Sequence, residues 1–199
     1  MSARLVAAAI GLFAITNFDD IVILALFFGR GGGQHGSARR VVVGQYLAFT
    51  AILVIAIALS YGASFLPKEA IAYLGLLPIG IGLWEAWKLW RSRGGGGEQG
   101  AETKQSGPST LKVAATTFGN SGDNIGVYVP VFVTASNGAT IVYAIVFLIL
   151  VGVWCAAGRF FATRPVIAKA LARWGHIVLP VVLIAIGLAI LIEGGAFGL

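Results

Sequence analysis

Three aspartates, Asp19, Asp20 and Asp123, stand inside stretches that are otherwise apolar enough to cross a membrane. Each has amide or hydroxyl neighbours at helical spacing. Thr16, Asp19 and Asp20 fall at i, i+3 and i+4, one face of a helix, and Asn120, Asp123 and Asn124 repeat the pattern. Asn17 lies one turn before Asp20, and Thr116 one turn before Asn120. A charged side chain at the bilayer centre costs at least ~2.5–3.5 kcal/mol on the mildest scale. No Lys or Arg lies at similar depth to pair with the three acids. A bound cation, a proton or a water-filled path must therefore offset their burial. The bland alternative, polar contacts between helices, suits one aspartate better than three with matched partners.

Carboxylate, amide and hydroxyl oxygens suit divalent cations such as Mn²⁺, Ca²⁺ or Mg²⁺. One Cys and two His exclude a thiolate or Cys/His zinc framework. Cys155 lies in an apolar run and reads as a small core residue. Asp19 and Asp20 would share a proton when no metal is present, since like charges disfavour double ionisation. Metal–proton exchange is the expected chemistry. Gly119 and Gly122 are expected to let helices approach closely, and unwinding near Gly122, with Pro130 beyond it, to expose backbone carbonyls. Gln45 and Tyr46 either face the same site or bond across helices. Glu85 with Lys88 reads as a surface pair, His35 and His176 as solvated, and Glu193 as interfacial.

The elements that must hold these residues follow from composition. Of 199 residues, 58% are hydrophobic and 11% charged, more apolar surface than a soluble fold of this length can hide. Six stretches reach spanning length: Leu5–Phe28, Val41–Phe65, Ala70–Trp90, Leu111–Val133, Ala139–Phe161 and Val166–Ile192. The first is too long and too acidic for a cleavable signal and reads as a span. The Gly-rich run 92–109 reads as a cytoplasmic linker between three-span units at 1–91 and 110–199. Of fourteen Lys and Arg, all but Arg4 and Lys68 fall in or beside the connections after spans one, three and five, which puts both termini outside. Trp84, Trp87, Trp90 and Trp174 read as interfacial anchors on the cytoplasmic side. The net charge of +6 reflects this bias, and no basic, aromatic-interleaved surface suggests nucleic acid.

A shift of 104 positions carries Asp19 onto Asp123, Asp20 onto Asn124 and Ile21 onto Ile125. Leu77-Pro78 with Ile81-Gly82-Leu83 is echoed by Leu179-Pro180 with Ile186-Gly187-Leu188. Three spans per unit make the second unit enter the membrane inverted, the plan of many secondary transporters, with the site at the midplane. The expected fold class is thus all-α integral membrane, six transmembrane helices as two inverted three-helix repeats.

Asn17-Phe18-Asp19-Asp20, Val43-Gly44-Gln45-Tyr46-Leu47, Leu76-Leu77-Pro78-Ile79-Gly80 and Gly119-Asn120-Ser121-Gly122-Asp123-Asn124-Ile125 resemble the CadD-type cadmium resistance transporters of the LysE superfamily. Leu148–Gly158 and the closing Leu179-Pro180 run are similar too, so the resemblance spans nearly everything but the linker. It implies export of Cd²⁺ across a bacterial cytoplasmic membrane, with Asp19, Asp20, Asn120, Asp123 and Asn124 as binding residues and no resident cofactor. The Asp19–Asp20 pair departs from a first motif with one acid and would raise the site's charge. Assembly into a homo-oligomer is compatible with the sequence. The superfamily also suggests export of organic cations or basic amino acids, for which Phe18 and Tyr128 would wall a pocket. An aspartyl protease is disfavoured, because Asn120 stands where such enzymes carry the first Gly of Gly-x-Gly-Asp. An accessory, non-transporting membrane protein would have to tolerate loss of all three acids.

Overall fold

The computed structural model describes residues 3–31, 36–67, 70–71, 73–92, 108–164 and 180–192. Among them every regular element is helical: α1 (Ala3–Thr16), α2 (Asp20–Arg30), α3 (Ser37–Ala63), a 3₁₀ turn at Tyr73–Gly75 leading into α4 (Leu76–Ser92), α5 (Thr110–Asn120), α6 (Gly122–Thr134), α7 (Asn137–Ala162) and α8 (Pro180–Ile192). The linker after Ser92 lies mostly outside these residues, as do His35, Trp174, His176 and Glu193 and the side chains of Glu85 and Lys88.

By length and composition α3 and α7 are two candidate spans, and α1 with α2 makes a third if the pair counts as one. The stretch expected as one continuous first span is broken: α1 and α2 meet at 62°. The reason lies in the sequence at the joint. Asn17, Phe18 and Asp19 separate the two helices, and the Asp19 side chain accepts from the Asp20 N–H, capping the new helix. The fourth stretch is also divided. α5 ends at Asn120 and α6 starts at Gly122, with Ser121 between them at φ −96°, ψ 21°. This is the unwinding expected near Gly122.

The two halves interlock. α1 and α2 pack against α7, while α5 and α6 pack against α3. The core is aromatic at its centre. Phe147 lies 5.5 Å from Phe13 and 4.9 Å from Tyr128, and Phe13 meets Trp154 edge-on at 5.1 Å. Outward faces of α3 and α7 carry exposed Val54, Leu59, Ile145 and Ile149, as lipid-facing surfaces do. Trp84, Trp87 and Trp90 are exposed near the end of α4, and Cys155 is buried.

The close approaches do not fall at Gly119 and Gly122, where a side chain would meet nothing. Those two glycines flank the break and leave space rather than contact. Tight packing occurs at Gly44 against Thr110, at Gly158 against Leu24, and where α8 meets the 3₁₀ turn and α4. A Cβ on Gly75 would sit 2.6 Å from the Gly187 carbonyl oxygen, and one on Gly187 would sit 2.5 Å from that of Gly75. Further along, a Cβ on Gly82 would lie 2.9 Å from the Pro180 carbonyl oxygen, so the helices cross antiparallel. Gly187→Ala is expected to force them apart and cost about 1–3 kcal/mol. Heating in detergent should strip monodisperse protein from Gly187→Ala earlier than from wild type. Gly80→Ala, whose added methyl would meet nothing, should behave as wild type. Equal survival of the two variants would contradict the contact.

Candidate cation site

Both helix breaks bring their polar residues to the same region. Asn120 Nδ2, at the end of α5, donates to Asp19 Oδ2 at 2.8 Å, joining the breaks directly. Asn124 Nδ2, in the first turn of α6, donates to Asn17 Oδ1 at 3.2 Å, joining them a second time. Asp19 and Asp123 both lie within electrostatic range of Asp20. Two acid-bearing segments about a hundred positions apart in sequence are thus joined.

The local electrostatics explain how carboxylates survive here. Asp20 opens α2 and Asp123 lies in the first turn of α6. Helix N-termini carry unpaired N–H groups and a partial positive charge, which favour nearby anions. Asp19 Oδ1 accepts from the Asp20 N–H at 3.1 Å, and Asp123 Oδ1 from the Asn124 N–H at 2.9 Å. The opposite ends of the breaks, the C-termini of α1 and α5, bring partial negative charge to the same place. Carboxylates and helix C-termini together make a region suited to a cation.

Asp20 is the most deeply placed acid, 2% exposed. Its Oδ2 accepts from Gln45 Nε2 at 3.1 Å, and Gln45 Oε1 accepts from the Thr117 hydroxyl at 2.6 Å. Gln45 therefore faces the site, and its amide ties α3 to α2 and α5. Tyr46, by contrast, bonds across helices to the Leu148 carbonyl at 3.1 Å. Thr116 is exposed and donates to the Lys112 carbonyl of its own helix; Thr117, the next residue, takes the inward position.

Thr16 and Asn17 are fully engaged with protein. Thr16 Oγ1 donates to the Leu12 carbonyl at 2.9 Å and pairs with the Tyr128 hydroxyl at 2.9 Å. Asn17 Nδ2 faces the Phe13 carbonyl, Thr16 Oγ1 and the Tyr128 hydroxyl at 2.8–2.9 Å. The Asn17 carbonyl oxygen, left without a helical partner by the break, accepts from Trp154 Nε1 at 2.7 Å. Thr117, Tyr128 and Trp154 are site residues that the sequence reading did not place there. Thr117 lies on α5 one turn before Asn120 and Tyr128 on α6 one turn after Asn124, a spacing that could have found them, while Trp154 reaches the site from α7.

One buried oxygen has no partner among the described residues. Asn124 is 2% exposed, and its Oδ1 receives no hydrogen bond. Such an orphan costs about 1–3 kcal/mol. Among the described residues no three His, Cys, Asp or Glu side chains converge closely enough to hold a metal ion by themselves. A cation here would need the amide oxygens as well as the carboxylates.

A family model described as cadmium resistance transporter matches residues 13–199, a range that contains both helix breaks and every residue of this site. No curated protein and no solved structure matches the chain.

Proposed function

Because this chain belongs to the cadmium resistance transporter family, we propose that it exports divalent cations, Cd²⁺ foremost, from the bacterial cytoplasm through the site where the two helix breaks meet. Membership of a transporter family and the apolar helices make it a membrane protein. The observation that carries the reading is the pairing of two interrupted helices, each with an aspartate at its restarted N-terminus, around a buried amide oxygen that has no donor among the described residues. A cation is what supplies that oxygen and the carboxylates with a common partner. Asp19, Asp20, Asp123, Asn120 and Asn124 are the proposed ligands. Cd²⁺ is close to Ca²⁺ in size, and an oxygen site accommodates it.

The same proposal includes six spans in two inverted repeats. The shift of 104 between the acidic motifs supports it. So does the α4–α8 crossing. A two-fold axis exchanging the halves with a shift of 105 turns the Gly75–Gly187 approach into the Gly82–Pro180 approach. The reciprocal packing of each broken span on the long helix of the other half agrees with it. The charge bias supports both termini outside the inner membrane.

The organic-cation reading needs an aromatic wall beside the acids. Tyr128 is fully buried among Phe49, Phe132 and Phe147 with its hydroxyl on Thr16, so its ring is core rather than wall.

Everted membrane vesicles holding the protein should accumulate Cd²⁺ when an inward-acid proton gradient is imposed, and a protonophore should stop the uptake. Asp123→Asn vesicles should show no uptake above empty ones. Uptake by Asp123→Asn at the wild-type rate would overturn the site, and uptake indifferent to the protonophore would overturn proton exchange.

A further inference from the structure

We infer that Tyr128 and Asn17 are positioning residues whose hydrogen bonds fix the Asn124 amide so that its oxygen, rather than its nitrogen, is offered to the cation; this rests on the cation-site reading above.

The argument starts from a group that cannot change roles. The Phe13 backbone carbonyl only accepts, and the Asn17 amide faces it at 2.9 Å, so that end of the amide must be nitrogen. The same nitrogen faces the Tyr128 hydroxyl at 2.8 Å. The hydroxyl, used there as an acceptor, has its proton left for Thr16 Oγ1 at 2.9 Å, and the Thr16 proton goes to the Leu12 carbonyl at 2.9 Å. The chain of donors thus ends on backbone at both Phe13 and Leu12; the two amide protons are shared among three acceptors, Thr16 Oγ1 at 2.9 Å being the third, and turning the amide over would set its oxygen against the Phe13 carbonyl. Asn17 Oδ1 is thereby committed to the opposite side, toward Asn124. An oxygen facing it must be met by a donor, so Asn124 presents Nδ2 there and its Oδ1 is turned elsewhere. That oxygen is the buried atom that has no partner among the described residues.

An amide is a cation ligand only through its oxygen, and a free asparagine offers nitrogen as readily. The relay removes that ambiguity. Asn17 and Thr16 spend their own polar atoms within the protein and so act on the cation through Asn124.

The test is a binding cycle measured by calorimetry with Cd²⁺ on purified protein in detergent. Asn17→Leu keeps the side-chain volume and removes the amide. It should weaken binding about tenfold in the wild-type background, the order seen when a partner of a metal ligand is lost. In an Asn124→Asp background both ends of residue 124 are oxygen, so Asn17→Leu should cost less than about twofold there. Tyr128→Phe keeps the ring packed and removes only the hydroxyl. It should show the same pattern, a loss in the wild-type background and none beside Asn124→Asp, and it carries the test if Asn17→Leu does not fold. An equal loss in both backgrounds would overturn the inference, because Asn17 would then act directly or through general destabilisation. Wild-type binding that ignores both substitutions would overturn it alone. Wild-type protein that binds no Cd²⁺ would overturn the proposed function, and this inference with it.

Discussion

Replacing Asp20 by Asn is expected to abolish Cd²⁺ binding and export while making the protein harder to unfold. The two effects share one cause. Asp20 is 2% exposed at the head of α2, with Asp19 and Asp123 in electrostatic range. A buried carboxylate beside two others is held against its desolvation cost by the helix N-terminus and by Gln45. When a divalent cation arrives, that charge becomes the main attraction in the site. An amide in its place keeps the volume and still accepts from Gln45 Nε2, but contributes no net charge. Loss of a partner outside the ligand shell already weakens metal sites by about 10–100-fold, so loss of a charged ligand should exceed about a hundredfold. Without cation, wild type must either bury that charge or take up the proton that Asp19 and Asp20 would share, and the substitution removes either cost. Stability should then rise by up to about 2.5–3.5 kcal/mol, the mildest-scale penalty for a charge at membrane depth. Calorimetry with Cd²⁺ and thermal unfolding of the same preparation in detergent check both halves. An Asp20→Asn variant that still bound Cd²⁺ as tightly as wild type would remove Asp20 from the ligand set, and a fall in stability would mean its carboxylate is already fully compensated.

The second large effect is expected from Phe147→Ala. Phe147 is fully buried on α7, and its ring stands among Phe13 of α1, Phe49 of α3, and Tyr128 and Phe132 of α6. It is the common neighbour of both broken helix pairs, α1–α2 and α5–α6. Truncation leaves a cavity that close-packed rings do not fill, at about 3–5 kcal/mol. Phe13 is one residue of the helix end that carries Thr16 and Asn17, and Tyr128 is the hydroxyl they share. The cavity therefore loosens the joint that sets the site, and transport should fall together with stability. Ile149→Ala, two residues along the same helix but 62% exposed, should stay within about 0.5 kcal/mol of wild type. The thermal midpoints of the two variants in detergent, beside their Cd²⁺ uptake, decide it. Similar midpoints would mean that the aromatic cluster does not hold the breaks together.

How much of this was legible in the chain varies by element. The long apolar runs that became α3 and α7 needed only their composition, since a membrane selects on length and hydropathy before anything else. The acidic motifs stood out by their cost alone, since charged side chains are expensive inside a stretch apolar enough to cross a membrane. The resemblance to cadmium resistance transporters likewise rested on local motifs, and the family match over residues 13–199 agrees with it.

The break of the first span was not legible. Asn17-Phe18-Asp19 at a regular spacing fits an unbroken helix as well as a joint, because i, i+3, i+4 describes a face only while the helix continues. What ends α1 is a set of partners from elsewhere: Trp154 taking the Asn17 carbonyl, and Asn120 holding the Asp19 carboxylate whose other oxygen caps α2. The glycines misled for a related reason. Gly119 and Gly122 look like contact points in sequence, but close approach depends on which face meets another helix, and the faces that meet carry Gly75, Gly82 and Gly187.

The sequence by itself determined that this protein lives in a membrane, that three carboxylates stand inside its apolar stretches, and which family it resembles. These follow from solvation energy, which each residue carries with it. Only the tertiary structure decided that the apolar stretches break where the acids stand, that Gln45, Thr117, Tyr128 and Trp154 complete their surroundings, and that one buried amide oxygen is left without a donor among the described residues. Those depend on hydrogen bonds, which have direction and need a partner at a set distance, and no linear spacing encodes which helix will bring it.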